Sequence, residues 1–109
     1  MSALLLKLKA ALEDLAAPAN EQATALRAKV SPDELALEFE AFAAAAQSLV
    51  ESGELSAEAH ELICALDTHL EAFSGPNNAE EWSEAALYRS PHWAKARQLA
   101  AKTLALIRP

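Results

Sequence analysis

The chain has 109 residues, a formal net charge of −7 and a composition that is 52% hydrophobic. This length corresponds to one domain, residues 1–109, and no stretch approaches the ~20 consecutive apolar residues that a membrane span requires. With two glycines, much alanine and no alternating apolar pattern, the sequence contains no candidate strand. The single cysteine excludes an intramolecular disulfide, and the apolar start, which lysines interrupt, lacks the form of a signal peptide. We therefore expect a soluble, cytoplasmic, all-α protein.

The first predicted helix runs from Ala3 to about Ala16. Its apolar stripe recurs every three or four residues and consists of Leu5, Leu8, Leu12 and Leu15, widened by Leu4 and Ala11. Pro18 then removes an amide donor and disfavours helical geometry at Ala17, so we expect a break or a sharp kink. Asn20 is the expected N-cap of the next helix. The alternative is one long kinked helix, since the apolar phase continues across the proline.

Residues 31–73 form the predicted centre of the fold, two helices joined by a short turn at Gly53. The first begins at Ser31, where Ser-Pro-Asp-Glu matches a capping box with proline at the first helical position. The second begins near Ser56, a good N-cap, and a turn this short makes the two helices antiparallel neighbours. The predicted heart of the core is Phe39, Phe42, Leu62, Leu66 and Phe73.

Two further helices are predicted after a turn at residues 75–78. Asn78 followed by Glu81 resembles a second capping box, so we expect a short helix from Ala79 to about Tyr88. Ser90 and the proline after it open the last helix. Its predicted stripe is Trp93, Ala96, Ala100, Thr103, Leu104 and Ile107. The predicted architecture is an all-α antiparallel helical bundle of four main helical layers, with a short extra helix before the C-terminal helix.

Charge is distributed unevenly along the chain. No Lys or Arg occurs between Val30 and Tyr88, whereas this interval holds thirteen Asp and Glu residues; from Arg89 onwards there are five basic residues and no acid. One interpretation pairs Arg97 and Arg108 with carboxylates of the central helices, but five cations cannot neutralise thirteen anions, so we expect an acidic outer face to remain. Such a face repels nucleic acid and anionic membranes and steers a basic partner. A merely solubilising face is the alternative interpretation.

These patterns favour a small acidic protein-binding module with no enzymatic activity. Its partner would be a protein with a basic surface, and one version is an inhibitor or immunity-type protein that masks a toxin or nuclease. The predicted contact residues are Glu40, Glu51, Asp67, Glu71 and Leu37, the last on an outward face with small neighbours. We expect neither nucleic-acid nor membrane binding, and a homodimer stays open. No catalytic signature or phosphate loop is present.

A small-ligand or metal-binding helical domain is the alternative function. Four residues of metal-ligand type share one face of the second central helix: His60, Cys64, Asp67 and Glu71. A zinc site usually takes ligands from a second element as well, and the sequence has no other cysteine. We therefore expect no bound metal or other cofactor, and an exposed free thiol at Cys64.

Three further side chains, two tryptophans and a histidine, are candidates for a site. Trp82 and Trp93 bracket the last turn, where they would either line a small-molecule pocket or, more commonly, cap the end of a bundle. His69 lies at the edge of an apolar stripe, so we expect a boundary histidine bonded to a neighbour. No set of catalytic residues is predicted.

Overall fold

Helices provide the secondary structure of the part of the chain that the computed structural model describes, residues 2–25, 33–73, 80 and 82–107. Seven helices and no strand occur in these residues, which confirms the all-α prediction. Their bounds are α1 Ala3–Ala16, α2 Ala19–Ala25, α3 Asp33–Ala43, α4 Ala46–Glu51, α5 Ala57–Ala72, α6 Glu84–Arg89 and α7 Pro91–Leu106. None of these described helices is long and apolar enough to cross a lipid bilayer.

The first helix has its predicted bounds, and the break after it is confirmed. α1 buries most of the predicted stripe, namely Leu5, Leu8, Ala11, Leu12 and Leu15. Ala17 then takes an extended conformation (ψ 150°) immediately before Pro18, as expected for the residue that precedes a proline. The predicted cap at Asn20 is wrong. α2 begins one residue earlier, at Ala19, and the carbonyl of Pro18 accepts the first amides of that helix.

The helix predicted to start at Ser31 is two helices, and its capping box lies outside the described residues. The chain leaves helical structure at Ala44 and Ala45, in a turn closed by a 3.1 Å bond from the Ala45 amide to the Phe42 carbonyl. No glycine or proline marks this break. The four successive alanines at 43–46 bury little side-chain area, so packing does little there to hold one straight axis.

Gly53 ends α4 as predicted, with a φ of +83°. The amides of Glu54 and Leu55 donate to the Leu49 carbonyl at 2.9 and 3.1 Å, so the turn satisfies the end of the helix. α5 then starts after Ser56, whose hydroxyl accepts an amide of the first turn, which confirms the predicted cap. The same turn buries Leu55, a core residue that the helical stripes did not include.

The short helix before the last one begins later than predicted. α6 starts at Glu84 and is capped by Ser83, whereas the prediction placed its start at Ala79. Trp82 therefore precedes the helix instead of lying on it. The turn and capping box predicted at residues 75–78 lie outside the described part of the chain.

α7 is the helix on which the fold is centred. It begins at the predicted Ser90 cap, and it makes extensive contacts with both α1 and α5. Its buried side chains include Ala96 and Ala100, which allow neighbouring helices to approach closely. α3 packs mainly on α1 and less on α5. The predicted centre at residues 31–73 is therefore only partly right, because α5 is central whereas α3 and α4 are not.

Three of the five side chains predicted at the heart of the core are fully buried: Phe39, Leu66 and Phe73. Phe42 and Leu62 are half-buried, so their assignment to the heart of the core is wrong. The ring of Phe42 lies at the edge of the core, with the Lys7 Nζ atom 6.0 Å from its centroid. Helical spacing identified the inward face correctly but not the depth of each residue on it.

Candidate functional site

A groove between α3 and α5 brings two of the predicted contact residues together. Glu40 of α3 and Asp67 of α5 both line it, and its volume is about 210 Å³. Glu40 is exposed and Asp67 is half-buried. The other lining residues are Ala43, Ala44, Ile63 and Cys64. Ile63 is buried and gives the groove an apolar floor. We refer to this site as the α3–α5 groove.

Helical spacing explains why these side chains meet. Ala43 follows Glu40 by three residues on α3, and Asp67 follows Ile63 by four on α5, whereas Ala44 lies in the turn directly after α3. Residues three or four apart lie on the same helix face, one turn from each other. The two alanine methyl groups leave open the space that larger side chains would fill, so the groove exists because small residues face a carboxylate.

Both carboxylates of the α3–α5 groove are unpaired as far as the described residues show. Within the described residues, neither Glu40 nor Asp67 makes a hydrogen bond or an ion pair. Residues 31–88 contain no Lys or Arg at all, so the helices that form the groove supply no cation of their own. The groove therefore presents two negative charges to whatever approaches it.

Glu54, by contrast, is already engaged within the protein. Its Oε1 atom accepts the Ser2 amide at 2.9 Å, and its Oε2 atom accepts the Ser52 hydroxyl at 3.0 Å. Hydrogen bonds from Ser2, and then from Ser52, hold the pKa of Glu54 below its ordinary value. This carboxylate links the start of α1 to the turn after α4, so it belongs to the fold and not to a partner surface.

The remaining predicted acidic contacts lie outside the groove. Glu51 ends α4 and Glu71 lies in the last turn of α5, and both are exposed. α5 has 16 residues and is therefore about 24 Å long at the helical rise per residue. Because α4 leads directly into the start of α5, the two glutamates lie towards opposite ends of that helix. The acids form a broad surface and not one cluster.

Leu37 lies on α3 beside the groove. Its side chain is 56% exposed, and Ala41, Ala44 and Ser48 are also exposed. Leu37 precedes Glu40 by three residues on α3, which places these two side chains on one side of the helix. An exposed apolar side chain thus lies next to the carboxylates of the groove.

The described residues contain no cluster of side chains that could hold a metal ion. No three or more His, Cys, Asp or Glu side chains lie close enough together there to hold a metal ion. The face from His60 to Glu71 extends over roughly 16 Å of one helix, too far for a single ion to span. Cys64 is an exposed free thiol, as predicted. That the purified protein carries no zinc stays a prediction.

The tryptophan end of the molecule is a packed cluster of rings. Phe73 stacks between Trp82 and His92, with centroid distances of 5.0 and 5.1 Å, and Trp93 contacts Phe73 and Trp82 edge-on. The Trp82 Nε1–H group donates to the Phe73 carbonyl at 2.8 Å. Because the rings fill the space between one another, this geometry favours a cap over a ligand pocket.

His69 is a boundary histidine bonded to a neighbour, as predicted. It is half-buried, its Nε2 atom lies 2.8 Å from the His92 carbonyl, and its ring contacts Phe73 edge-on at 5.2 Å. Since a carbonyl only accepts, Nε2 carries the proton in this contact. His69 therefore helps to hold α5 against the start of α7.

Within the described residues, Arg97 bonds to uncharged groups and to no carboxylate. Its Nη1 group donates to the Gln22 Oε1 atom at 3.1 Å and to the Leu87 carbonyl at 2.9 Å. Burial lowers the pKa of Arg97 below its ordinary value. The guanidinium faces α2 and α6 instead of the acidic helices, and Gln22, which fully buries its side chain, gave no sequence signal of this role. Arg108 lies outside the described residues.

A larger groove of about 440 Å³ lies along α6. Its lining residues are Glu80, Ser83, Ala85, Ala86, Arg89, Ser90 and Pro91. It combines one acid with one base, and the hydroxyls of Ser83 and Ser90 already cap α6 and α7. We therefore regard the smaller α3–α5 groove, with its two free carboxylates, as the better candidate.

The sequence matches no protein-family model and no curated protein, and the fold matches no solved structure. Function has to be inferred from the groove and the surface around it.

Proposed function

We propose that the protein binds a basic surface of another protein through the acidic side formed by α3, α4 and α5. The α3–α5 groove is the observation that carries this proposal. Two helices each contribute one carboxylate to it, and neither carboxylate has a partner within the described residues. The contact residues are Glu40, Glu51, Asp67, Glu71 and Leu37.

Charge and apolar contact have different roles in this interface. Exposed carboxylates contribute only about 0–1 kcal/mol per ion pair, but they raise association rates by steering the partner. Leu37 supplies apolar area beside the carboxylates of the groove. Steering by the acids followed by burial of Leu37 is therefore the binding mode we propose.

A basic protein fits this surface better than nucleic acid or an anionic membrane, both of which it repels. A homodimer through the same face would set acid against acid. An inhibitor or immunity-type protein that masks a basic cytoplasmic partner is the concrete form of the hypothesis. This hypothesis assumes the predicted architecture, in which α3–α4 and α5 are antiparallel in a bundle of four main layers and the short α6 precedes α7. That architecture stays a prediction.

Charge reversal tests the proposal. The quadruple variant Glu40→Lys, Glu51→Lys, Asp67→Lys and Glu71→Lys alters no core side chain, so we expect unchanged helicity by circular dichroism. Partners captured from the native host lysate are identified, and their association is timed at two salt concentrations. We expect a basic partner whose association is slowed by salt and by the reversals, with little change in dissociation.

A matched control separates this surface from net charge. Reversal of Glu13, Glu21 and Glu80, all of them exposed and outside α3, α4 and α5, makes a similar change in net charge at other places. We expect this control to associate faster than the quadruple variant. The proposal is contradicted if the captured partner is acidic. It is also contradicted if neither salt nor the reversals at α3–α5 change the association rate, and the acidic side then only keeps the protein soluble.

A further inference from the structure

The α3–α5 groove has the size of one side chain. Its volume of about 210 Å³ lies below the roughly 300–1,000 Å³ of sites that hold drug-sized ligands. A group that enters it has to be small and has to protrude from a larger surface, as a long side chain of a protein partner does.

The lining of the groove selects a planar cation. A guanidinium carries five N–H donors in one plane and can bond to two carboxylates at once, here Glu40 and Asp67. Apart from these acids, the lining consists of the apolar side chains of Ala43, Ala44 and Ile63 and the thiol of Cys64. Such a lining offers little to replace the hydration of a cation, which favours the weakly hydrated guanidinium over the strongly hydrated ammonium of lysine.

We propose that the α3–α5 groove receives the guanidinium of a single arginine side chain of the basic partner. This inference rests on the proposed function and names the anchor of that interface. The arginine bonds to Glu40 and Asp67, and its methylenes lie along the two alanines. Apolar residues next to it on the partner then contact Leu37, whose side chain is exposed on the same side of α3.

An arginine analogue tests the groove without the partner. Isotope-labelled protein is titrated with N-acetylarginine amide, and amide shifts are followed by NMR. N-acetylcitrulline amide, which has nearly the same shape and no charge, is the matched control ligand. We expect saturable shifts concentrated at residues 40–44 and 63–67 with the arginine compound and not with the citrulline compound.

Two paired variants test the role of the carboxylates. Glu40→Gln combined with Asp67→Asn removes both charges at nearly constant size, and we expect affinity for the arginine compound to fall about five- to tenfold. Glu58→Gln combined with Glu61→Gln makes the same change in net charge at exposed positions outside the groove lining, and we expect it to retain affinity.

The exposed thiol of Cys64 provides a steric test, because it lines the groove and is the only cysteine. A neutral N-ethylmaleimide adduct fills the groove and leaves both carboxylates in place, so we expect it to abolish the localised shifts. Cys64→Ser protein treated with the same reagent should bind the arginine compound as untreated protein does.

Several results overturn the arginine assignment: equal affinity for the citrulline compound, shifts spread over all the acidic residues, or no loss in the Glu40→Gln, Asp67→Asn variant. The proposed function is decided separately. A partner that is slowed by the four reversals but indifferent to the Cys64 adduct upholds the acidic surface and rejects the groove as anchor. Localised arginine binding without any salt-sensitive partner upholds the groove and rejects the function.

Discussion

Single side chains carry unequal shares of the stability, and Gln22 is the clearest polar example. It is 1% exposed, its Nε2 group donates to the Leu15 and Asp14 carbonyls at the end of α1, and its Oε1 atom accepts from Arg97. These bonds join α2 to the end of α1 and to Arg97 of α7. The position of α2 therefore depends on contacts such as these.

Gln22→Leu should destabilise the protein by about 2–4 kcal/mol, because it leaves buried carbonyls and part of the Arg97 guanidinium without partners. Urea denaturation followed by circular dichroism measures this cost. Gln47→Leu is the matched control, since Gln47 is exposed on α4 and its replacement should change stability by no more than about 0.5 kcal/mol. Equal effects at the two positions would show that the buried network contributes nothing.

Phe39 and Phe42 share one helical stripe but differ in burial. Phe39→Ala should cost about 3–5 kcal/mol through lost burial and a residual cavity. Phe42→Ala should cost less than about 2 kcal/mol, because its half-buried ring already meets water and its removal leaves little enclosed space. The same urea titration compares them. A loss at Phe42 as large as that at Phe39 contradicts its position at the edge of the core.

The turn between α4 and α5 contains a glycine in the left-handed backbone region. Gly53 lies between α4 and α5 and has a φ of +83°. A Cβ atom added there would meet nothing within 4 Å, so space is not what requires glycine. The requirement is the left-handed backbone conformation, which is costly for a residue with a side chain.

Gly53→Ala should therefore cost about 1–2 kcal/mol, and Gly53→Asn distinctly less, because asparagine adopts the left-handed region more readily. Both stabilities are measured by thermal or urea unfolding. Since neither substitution meets a steric clash, the difference between them isolates the backbone term. An alanine variant as stable as the glycine protein is incompatible with a positive φ at this turn.

Taken as a whole, the molecule does not neutralise its own charge. The basic residues are concentrated at the C-terminal end of the sequence, but Arg97 of α7 bonds, among the described residues, to Gln22 and Leu87. The net charge of −7 thus leaves the folded state with self-repulsion among its carboxylates.

The sign of the salt effect on stability tests this charge distribution. Sodium chloride should raise the free energy of unfolding, by at most about 1 kcal/mol, because it screens repulsion between exposed acids. Chloride is used in place of sulfate, which also strengthens apolar burial. If pairs between α7 and the acidic helices dominated instead, added salt would lower the stability.

The helix ends that local side chains specify were predictable from the sequence. Ser56 and Ser90 act as caps, Pro18 breaks the first helix, and Gly53 ends α4, all as expected. Each acts on amides or carbonyls within one turn of itself, so nearby residues contain the information. The start of α6 has a comparable local signal in its cap Ser83, which the prediction passed over, whereas the break at Ala44 has none.

The burial of each side chain, the partners of the polar side chains and the α3–α5 groove depend on the tertiary structure. Periodicity shows which face of a helix points inward, but the helix that covers this face is set by the packing of the whole chain. Phe42 therefore lies at the edge although its spacing resembles that of Phe39. Arg97 meets Gln22 across 75 residues, and Glu40 meets Asp67 only because α3 packs beside α5. A contact between distant residues depends on chain closure and mutual burial, which no local pattern encodes.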